Sequence, residues 1–551
     1  MKQTLLLISI VVLSLNISAQ TIYNNGAHIV STSGSYWVLD NGSFTLTSNS
    51  STNPTQFDEL IINDDASLIL GSASTPAYLT VDGLSMISPA TVTIPSGSTG
   101  SSSLIVGTIY GTRSFTVNRY FTGANLAWHL ISSPITSQEI SGVFTPGGST
   151  YDFYLYNEPT NEWINRKNLD GGGGVAPYFD DVNGDLLFTP GRGYLAAYDE
   201  SNPTKSFSGA INQGTISQSV TFSGTTGYQG ANLLGNPYPS SLDWKAPTGW
   251  TRTMLRDDDP GLETGYSMYI WNETANNYGT YISNETDDIG TNSVTRYIPP
   301  MQGFFVMAAS AGSFQMNEDV CVHESVSSWL KNSSVNPDII KLKVSNPEFG
   351  SDEVLLEDNE INTGGAQKWF SFVETAPSLW IDFEDKQYSI LMDDVIEDEN
   401  HYSIGFKPGM EEQYTLTASF DAGSYVDIML EDKKLSSFHN LLESPDYHFY
   451  GYPSDDPARF ALHFSAVGLP ETETTSSPIQ VYSNGKGINV INNNNLTGEI
   501  TILNILGQQM DSFKLDSNIN QTHHADFPSG VYVVYIKTSA GQVYSEKVIV
   551  N

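Results

Sequence analysis

Asp181-Val182-Asn183-Gly184-Asp185 sets oxygen donors at the first, third and fifth positions of a short loop, the spacing at which carboxylates and amides gather around a hard cation such as calcium. The pattern then departs from a calcium loop. Leu186 stands where a glycine would turn the chain, and Arg192 where an acidic residue would close the site. A weak calcium site at Asp181, Asn183 and Asp185 and an ordinary acidic turn both remain open. Asp257-Asp258-Asp259, before Pro260-Gly261, is a second acidic cluster, and its three carboxylates repel one another unless a cation or solvent screens them. Nucleophilic chemistry has a thinner basis. Cys321 has His323 two residues along, but on a strand such neighbours point the same way without meeting, so a buried thiol is the plainer reading. His323-Glu324 lacks a second histidine, and Gly171 to Gly174 is followed by Pro177 rather than by a helix. Neither therefore reads as a metalloprotease or nucleotide signature. No Gly-x-Ser-x-Gly elbow and no Walker loop occurs. His523-His524 falls in a polar spacer and reads as solvated. No catalytic residue and no organic cofactor is assigned, and the question of an enzyme stays open, leaning against.

Sugar binding has a better-motivated set of residues. Trp128, Trp163, Trp244 and Trp271 could stack on sugar faces while Asn and Asp bond the hydroxyls, and Trp163 and Trp271 are the ligand candidates. The competing reading is that each packs a sheet core, because large aromatics dominate such cores.

The elements that must position these residues are strands. Apolar runs begin at Leu68, Leu79, Val92, Leu104 and Phe115, spaced regularly with Gly, Ser or Pro between them. This pattern suggests a β-meander or a short β-solenoid over residues 20–118, the solenoid being preferred. Residues 119–330 carry the turn-rich segments that start at Ala127, Asn232 and Ile298, where Pro pairs end strands and Gly allows close approach. One or two antiparallel sandwiches are expected there. After a link at 331–337, period-two alternation is clear: Ile340, Leu342 and Val344, then Tyr414, Leu416 and Ala418, then Phe460, Leu462 and Phe464. A further β-sandwich over 338–466 follows. Residues 467–478 read as a polar, protease-accessible linker. The fold class is all-β and multidomain.

Composition narrows the partners. The formal charge of -37 repels phosphate backbones, so nucleic acid is not expected as a partner. Only 15% of residues are charged, so this is not the composition of a disordered chain. A single cysteine rules out an intrachain disulfide. Met1-Lys2, the apolar run Leu5 to Leu15 and Ile17-Ser18-Ala19 read as a signal peptide over 1–19, cut after Ala19. The run is too short to span a bilayer, and no later segment is longer, so no transmembrane span is expected.

The last stretch, 479–551, contains ITILNILGQQM, PSGVYVVYIK and the closing Lys547-Val548-Ile549-Val550. Strand alternation and turns at Asn492 to Asn495, Gly507 and Ser529-Gly530 make it a small all-β domain. It resembles the type IX secretion system (type A) C-terminal sorting domain family, on the Leu-Gly-Gln turn, on Gly530 and Tyr532, and on Lys547. The resemblance implies a small Ig-like β-sandwich and recognition by the type IX secretion machinery at a Gram-negative outer membrane. Residues 119–466 in turn resemble β-rich cargo modules of unknown function found in secreted proteins with that tail. The expected role is a secreted or cell-surface, non-enzymatic adhesion module. Carbohydrate binding in support of polysaccharide use is the alternative, and a glycan-active hydrolase the third reading.

Overall fold

The computed structural model describes residues 36–47, 50–147, 150–224, 229–259, 265–283, 290–324, 339–358, 364–393, 401–420, 425–466, 479–484, 486–492, 495–517 and 520–550. The expected signal peptide, the link at 331–337, Pro260-Gly261 and the linker 467–478 lie outside these residues. The chain divides into two compact units, Met1–Val467 and Gly468–Asn551.

The first unit begins as a solenoid. Tyr36–Leu39, Thr55–Ile62, Tyr78–Met86 and Ser103–Gly111 form one parallel sheet, and Gly42–Leu46, Ala66–Leu70, Thr91–Ile94 and Phe115–Tyr120 run parallel in a second. Tyr36 pairs with Glu59, Thr55 with Leu79 and Tyr78 with Ser103, which sets rungs of 23, 24 and 25 residues. Each regular run in the sequence is thus half a rung. The meander alternative falls, because its neighbouring strands would run antiparallel. Phe57, Leu60, Leu84 and Ile109 from one sheet meet Phe44, Leu68, Val92 and Phe115 from the other in a single apolar column.

Parallel edges need covering, and the next segment reaches the last strand of each sheet. Thr204–Gly209 pairs antiparallel with Phe115–Tyr120, the strand that spans the division expected at residue 118. On the other sheet, Leu104 N–H donates to the Pro239 carbonyl at 2.9 Å. His323 ties down the same rung, with Nδ1 at 2.8 Å from Ser103 Oγ and Nε2 at 2.9 Å from Thr80 Oγ1.

Together with two sheets of three strands, two four-stranded antiparallel sheets follow. One holds His129–Ile131, Tyr194–Tyr198, Tyr151–Asn157 and Glu162–Asn165; the other holds Ala231–Gly235, Gly303–Met307, Ser267–Asn272 and Asn277–Ile282. Residues 339–466 then form an 11-stranded sheet that folds over on itself. Phe460, on the third strand of its order, has its ring 5.0 Å from that of Phe449 on the last. This sheet is bonded to the preceding one: Asn277 Nδ2 donates to the carbonyls of Ser351 and Pro377.

The second unit is a two-sheet sandwich. Ile479–Asn484, Gly487–Asn492 and Asn520–His524 face Gln509–Leu515, Gly498–Asn504, Gly530–Thr538 and Val543–Val550. Ile488, Val490, Ile500, Ile502, Val534, Ile536, Val548 and Val550 fill the space between them.

Candidate functional site

Asn183 ends the short helix Phe179–Asn183, and Gly184 follows in the left-handed region at φ 91°, where glycine meets no steric penalty. The Asn183 amide is buried. Nδ2 donates to the carbonyls of Asp185 and Leu187 at 2.9 and 2.7 Å, and Oδ1 accepts from Tyr194 Oη at 2.7 Å and Arg192 Nη1 at 3.2 Å. Asp185 Oδ1 accepts from Leu187 N–H, while Asp181 is exposed. Oxygens of Asn183 and Asp185 are thus taken up by hydrogen bonds of the protein itself, and Asn183 braces the loop from within. Among the described residues no three His, Cys, Asp or Glu side chains are arranged to hold a metal.

The other candidates are also accounted for by packing. Asp258 is ion-paired to Arg256, at 2.5 Å from Oδ1 to Nε, and Asp257 Oδ1 accepts from Asp259 N–H. Burial pushes the Cys321 thiol up to about 12, so it is not a thiolate at neutral pH. Both nitrogens of His323 are engaged with Ser103 and Thr80, so the pair is not a nucleophile and its base. Desolvation holds His323 down at about 4. His523 is bonded to Asp511 at 2.7 Å and stacked on Phe513 with ring centroids 4.1 Å apart.

The tryptophans form a core. Met268 and Ile270 face one apolar cluster, and Tyr269 and Trp271 face another. The strand is thus covered on both sides. Trp271 is 3% exposed, with Phe372 stacked over it at a centroid distance of 4.2 Å. Trp163 packs on Tyr156, Phe305 and Phe372, Trp128 on Tyr154 and Phe372, and Trp244 is fully buried under Arg252. Trp271 offers no open face for a sugar, and Trp163 packs edge-on among three aromatic side chains. That aromatic layer is closed by Trp369, Phe372 and Val373, supplied about a hundred residues downstream of Trp271.

A cleft that opens to solvent was missed by sequence reasoning. It measures about 1090 Å³ and is lined by Phe222 and Gln229, by Arg256, by residues 307–309 and by parts of 367–387. Phe222, Phe370 and Phe383 supply its aromatic surface, and Gln229, Gln367 and Gln387 its amides. One wall is the hairpin of Ser378–Phe383 and Lys386–Asp393, turned by Glu384 and Asp385 at φ 46° and 64°. Two left-handed residues in the turn match the twist of such a hairpin, and both carboxylates are exposed at the rim. The cations beneath are already paired. Arg256 holds Asp258 and Gln367, and Lys368 lies 2.5 Å from Asp352 with the two side chains 1% and 0% exposed. Asp352 also accepts from Leu379 N–H and Asn292 Nδ2, as a buried carboxylate must to offset its desolvation.

In the second unit, Tyr532 is buried against Phe527, and its hydroxyl donates to the Pro528 carbonyl. Gly530 opens the same strand and pairs with Val550, and Lys547 is exposed opposite Val533. Tyr532 acts as a brace of the sandwich, whereas Lys547 faces solvent. Among the described residues no helix is long and apolar enough to cross a membrane.

Comparison with known proteins agrees with this division. The chain is 24% identical over 425 residues to the minor fimbrium subunit Mfa5 of Porphyromonas gingivalis, a match that covers 72% of this chain and 33% of that protein. The chain thus spans about a third of that relative's length. Among solved structures, a biofilm associated protein BSP domain aligns over 79% of this chain and 92% of its own, at 9% identity and a TM-score of 0.18. A Ca2+-stabilized, ice-binding adhesin of an Antarctic bacterium aligns over 79% of this chain and 99% of its own, at 10% identity and a TM-score of 0.11. Those scores carry no argument about shape. Residues 482–551 match the secretion system C-terminal sorting domain, so the tail is the type IX export address that its motifs suggested. Residues 27–464 match the family described as domain of unknown function DUF8693, and the chain belongs to that family, with a type IX sorting tail behind it.

Proposed function

We propose that this protein is a surface adhesion module without an enzymatic role, carried across a Gram-negative outer membrane by its tail. The observation that carries the reading is the combination of an export tail with likeness, over 72% of the chain, to a protein described as a fimbrium subunit. A solenoid that continues through bonded sheets suits a stalk and presenting surface. The test is adherence of cells in a type IX-competent host, comparing a gene deletion with its complement. Adherence should fall on deletion and return with the full chain. Unchanged adherence, together with substrate turnover by the purified protein, would replace this reading with an enzymatic one.

A second reading, carbohydrate binding, is favoured by the cleft rather than by the tryptophans. Phenylalanine faces beside glutamine amides and exposed carboxylates suit sugar C–H faces and hydroxyls. A glycan array probed with the native protein and with Phe370→Ala/Phe383→Ala decides it. Binding to one sugar class that the double substitution removes supports this reading, and a blank array rejects it.

A further inference from the structure

The pieces of sequence that mark the sorting tail are far apart in the chain, yet the strand register brings them to one end of one sheet. Asn504, before the Leu-Gly-Gln turn, pairs with Tyr532, and Tyr532 pairs with Val548 on the closing strand. One face of this sheet is the core: Ile500, Ile502, Val534, Ile536, Val548 and Val550. Because side chains alternate, the other face carries Leu503 beside Val533 and Val533 beside Lys547, with Val531 beside Ile549. Ile549 is 53% exposed, and Leu503, Val531 and Val533 are half-buried. Towards the opposite end the same face turns polar, with Thr501, Tyr535 and Ser545 in one row.

The turn extends this apolar end outward. Ile505 and Leu506 are 77% and 79% exposed, at positions where a turn ordinarily carries polar residues. They are held stiffly. Asn504 Oδ1 accepts from Leu506 N–H at 3.0 Å and Gln508 N–H at 2.9 Å, Asn504 Nδ2 donates to Gln508 Oε1, and Gly507 closes the turn at φ 78°. Two apolar side chains fixed in water add nothing to the core and cost little ordering entropy when a partner covers them. Charge is arranged to match. Residues 479–551 hold four Lys against five Asp and Glu, whereas the whole chain stands at -37, so nearly all of the charge lies outside the tail. Lys547 is the charged side chain in the apolar rows.

We infer that the end of the sheet formed by Leu503, Ile505, Leu506, Val533 and Ile549, with Lys547 at its rim, is the surface by which the tail docks on the type IX export machinery. The receiving surface is an apolar groove with a carboxylate placed for Lys547. This rests on the reading of the tail as an export address, and it places recognition on the outer face and turn, not on Tyr532.

The test uses the full chain in a host with a type IX system, reading surface exposure on intact cells and periplasmic retention by fractionation. Four forms are compared with the native chain: Ile505→Ser/Leu506→Ser, Val533→Asp/Ile549→Asp, Thr501→Lys at the polar end, and a chain ending at residue 478. The first two place the change on different elements, and protease resistance of the retained tail shows that each has folded. Both patch variants should lose surface exposure by about tenfold or more, as loss of an interface anchor does, while Thr501→Lys is exported normally. Normal export of both patch variants alongside retention of the shortened chain overturns the docking surface alone. Export of the shortened chain overturns the address itself, and the docking surface with it.

Discussion

Asn183 shows how one side chain can look like a ligand and act as a brace. Its oxygen already accepts from Tyr194 and Arg192, so adding calcium or a chelator should leave the melting temperature of the protein unchanged. A calcium-dependent rise would return Asp181, Asn183 and Asp185 to the role their spacing suggested. Lys368 and Asp352 form a buried pair of the opposite kind, in which each partner depends on the other. Lys368→Met alone strands a carboxylate and should cost about 3–5 kcal/mol in denaturant unfolding, while Lys368→Met with Asp352→Leu should recover most of it. The histidines set the pH response. Burial holds His323 at about 4 and His129 at about 3, against about 6.5 in an unfolded chain. The unfolded chain therefore takes up protons first as pH falls. The stability these groups contribute is whole above about pH 6.5 and is lost as pH falls through about 4 for His323 and about 3 for His129. Melting temperature should drop across that window, and His323→Gln should flatten part of the drop; an unchanged profile would remove His323 from the account.

Strands were legible wherever their residues carried a period, and their surroundings were not. The runs from Leu68 onward fixed the half-rungs of the solenoid, because each rung repeats the same inward apolar column. The alternation of Ile340, Leu342 and Val344, and that of Tyr414, Leu416 and Ala418, matches burial in the large sheet. Alternation names two faces but does not say whether one or both are covered. Trp271 was open to a glycan reading because nothing near it in sequence reveals Phe372, and the cleft was invisible because its walls come from four separate segments. The exposed Ile505 and Leu506 did have a sequence signal: apolar residues in a turn. Close approach between strands is equally specific. Gly405 pairs with Trp380, and a Cβ there would meet the indole at 1.9 Å. Gly405→Ala should destabilise the large sheet by about 1–3 kcal/mol, read by thermal unfolding. A neutral result would mean that the indole swings aside freely.

At the scale of the molecule, two compact units divide the work. In the first, Thr204–Gly209 extends one edge of the solenoid, and Trp128, Trp163, Trp244 and Trp271 are packed against other aromatic side chains. The second, nearly neutral, carries its most exposed apolar residues at one turn. The family match assigns an address to the second unit and leaves the activity of the first unassigned, so export is where the account stands or falls. The most direct measurement is antibody labelling of intact cells that express either the full chain or the chain ending at residue 478, with a periplasmic marker to control for lysis. The full chain should label the cell surface, and the shortened one should be found folded in the periplasm. Equal surface labelling of the two would contradict export by the tail.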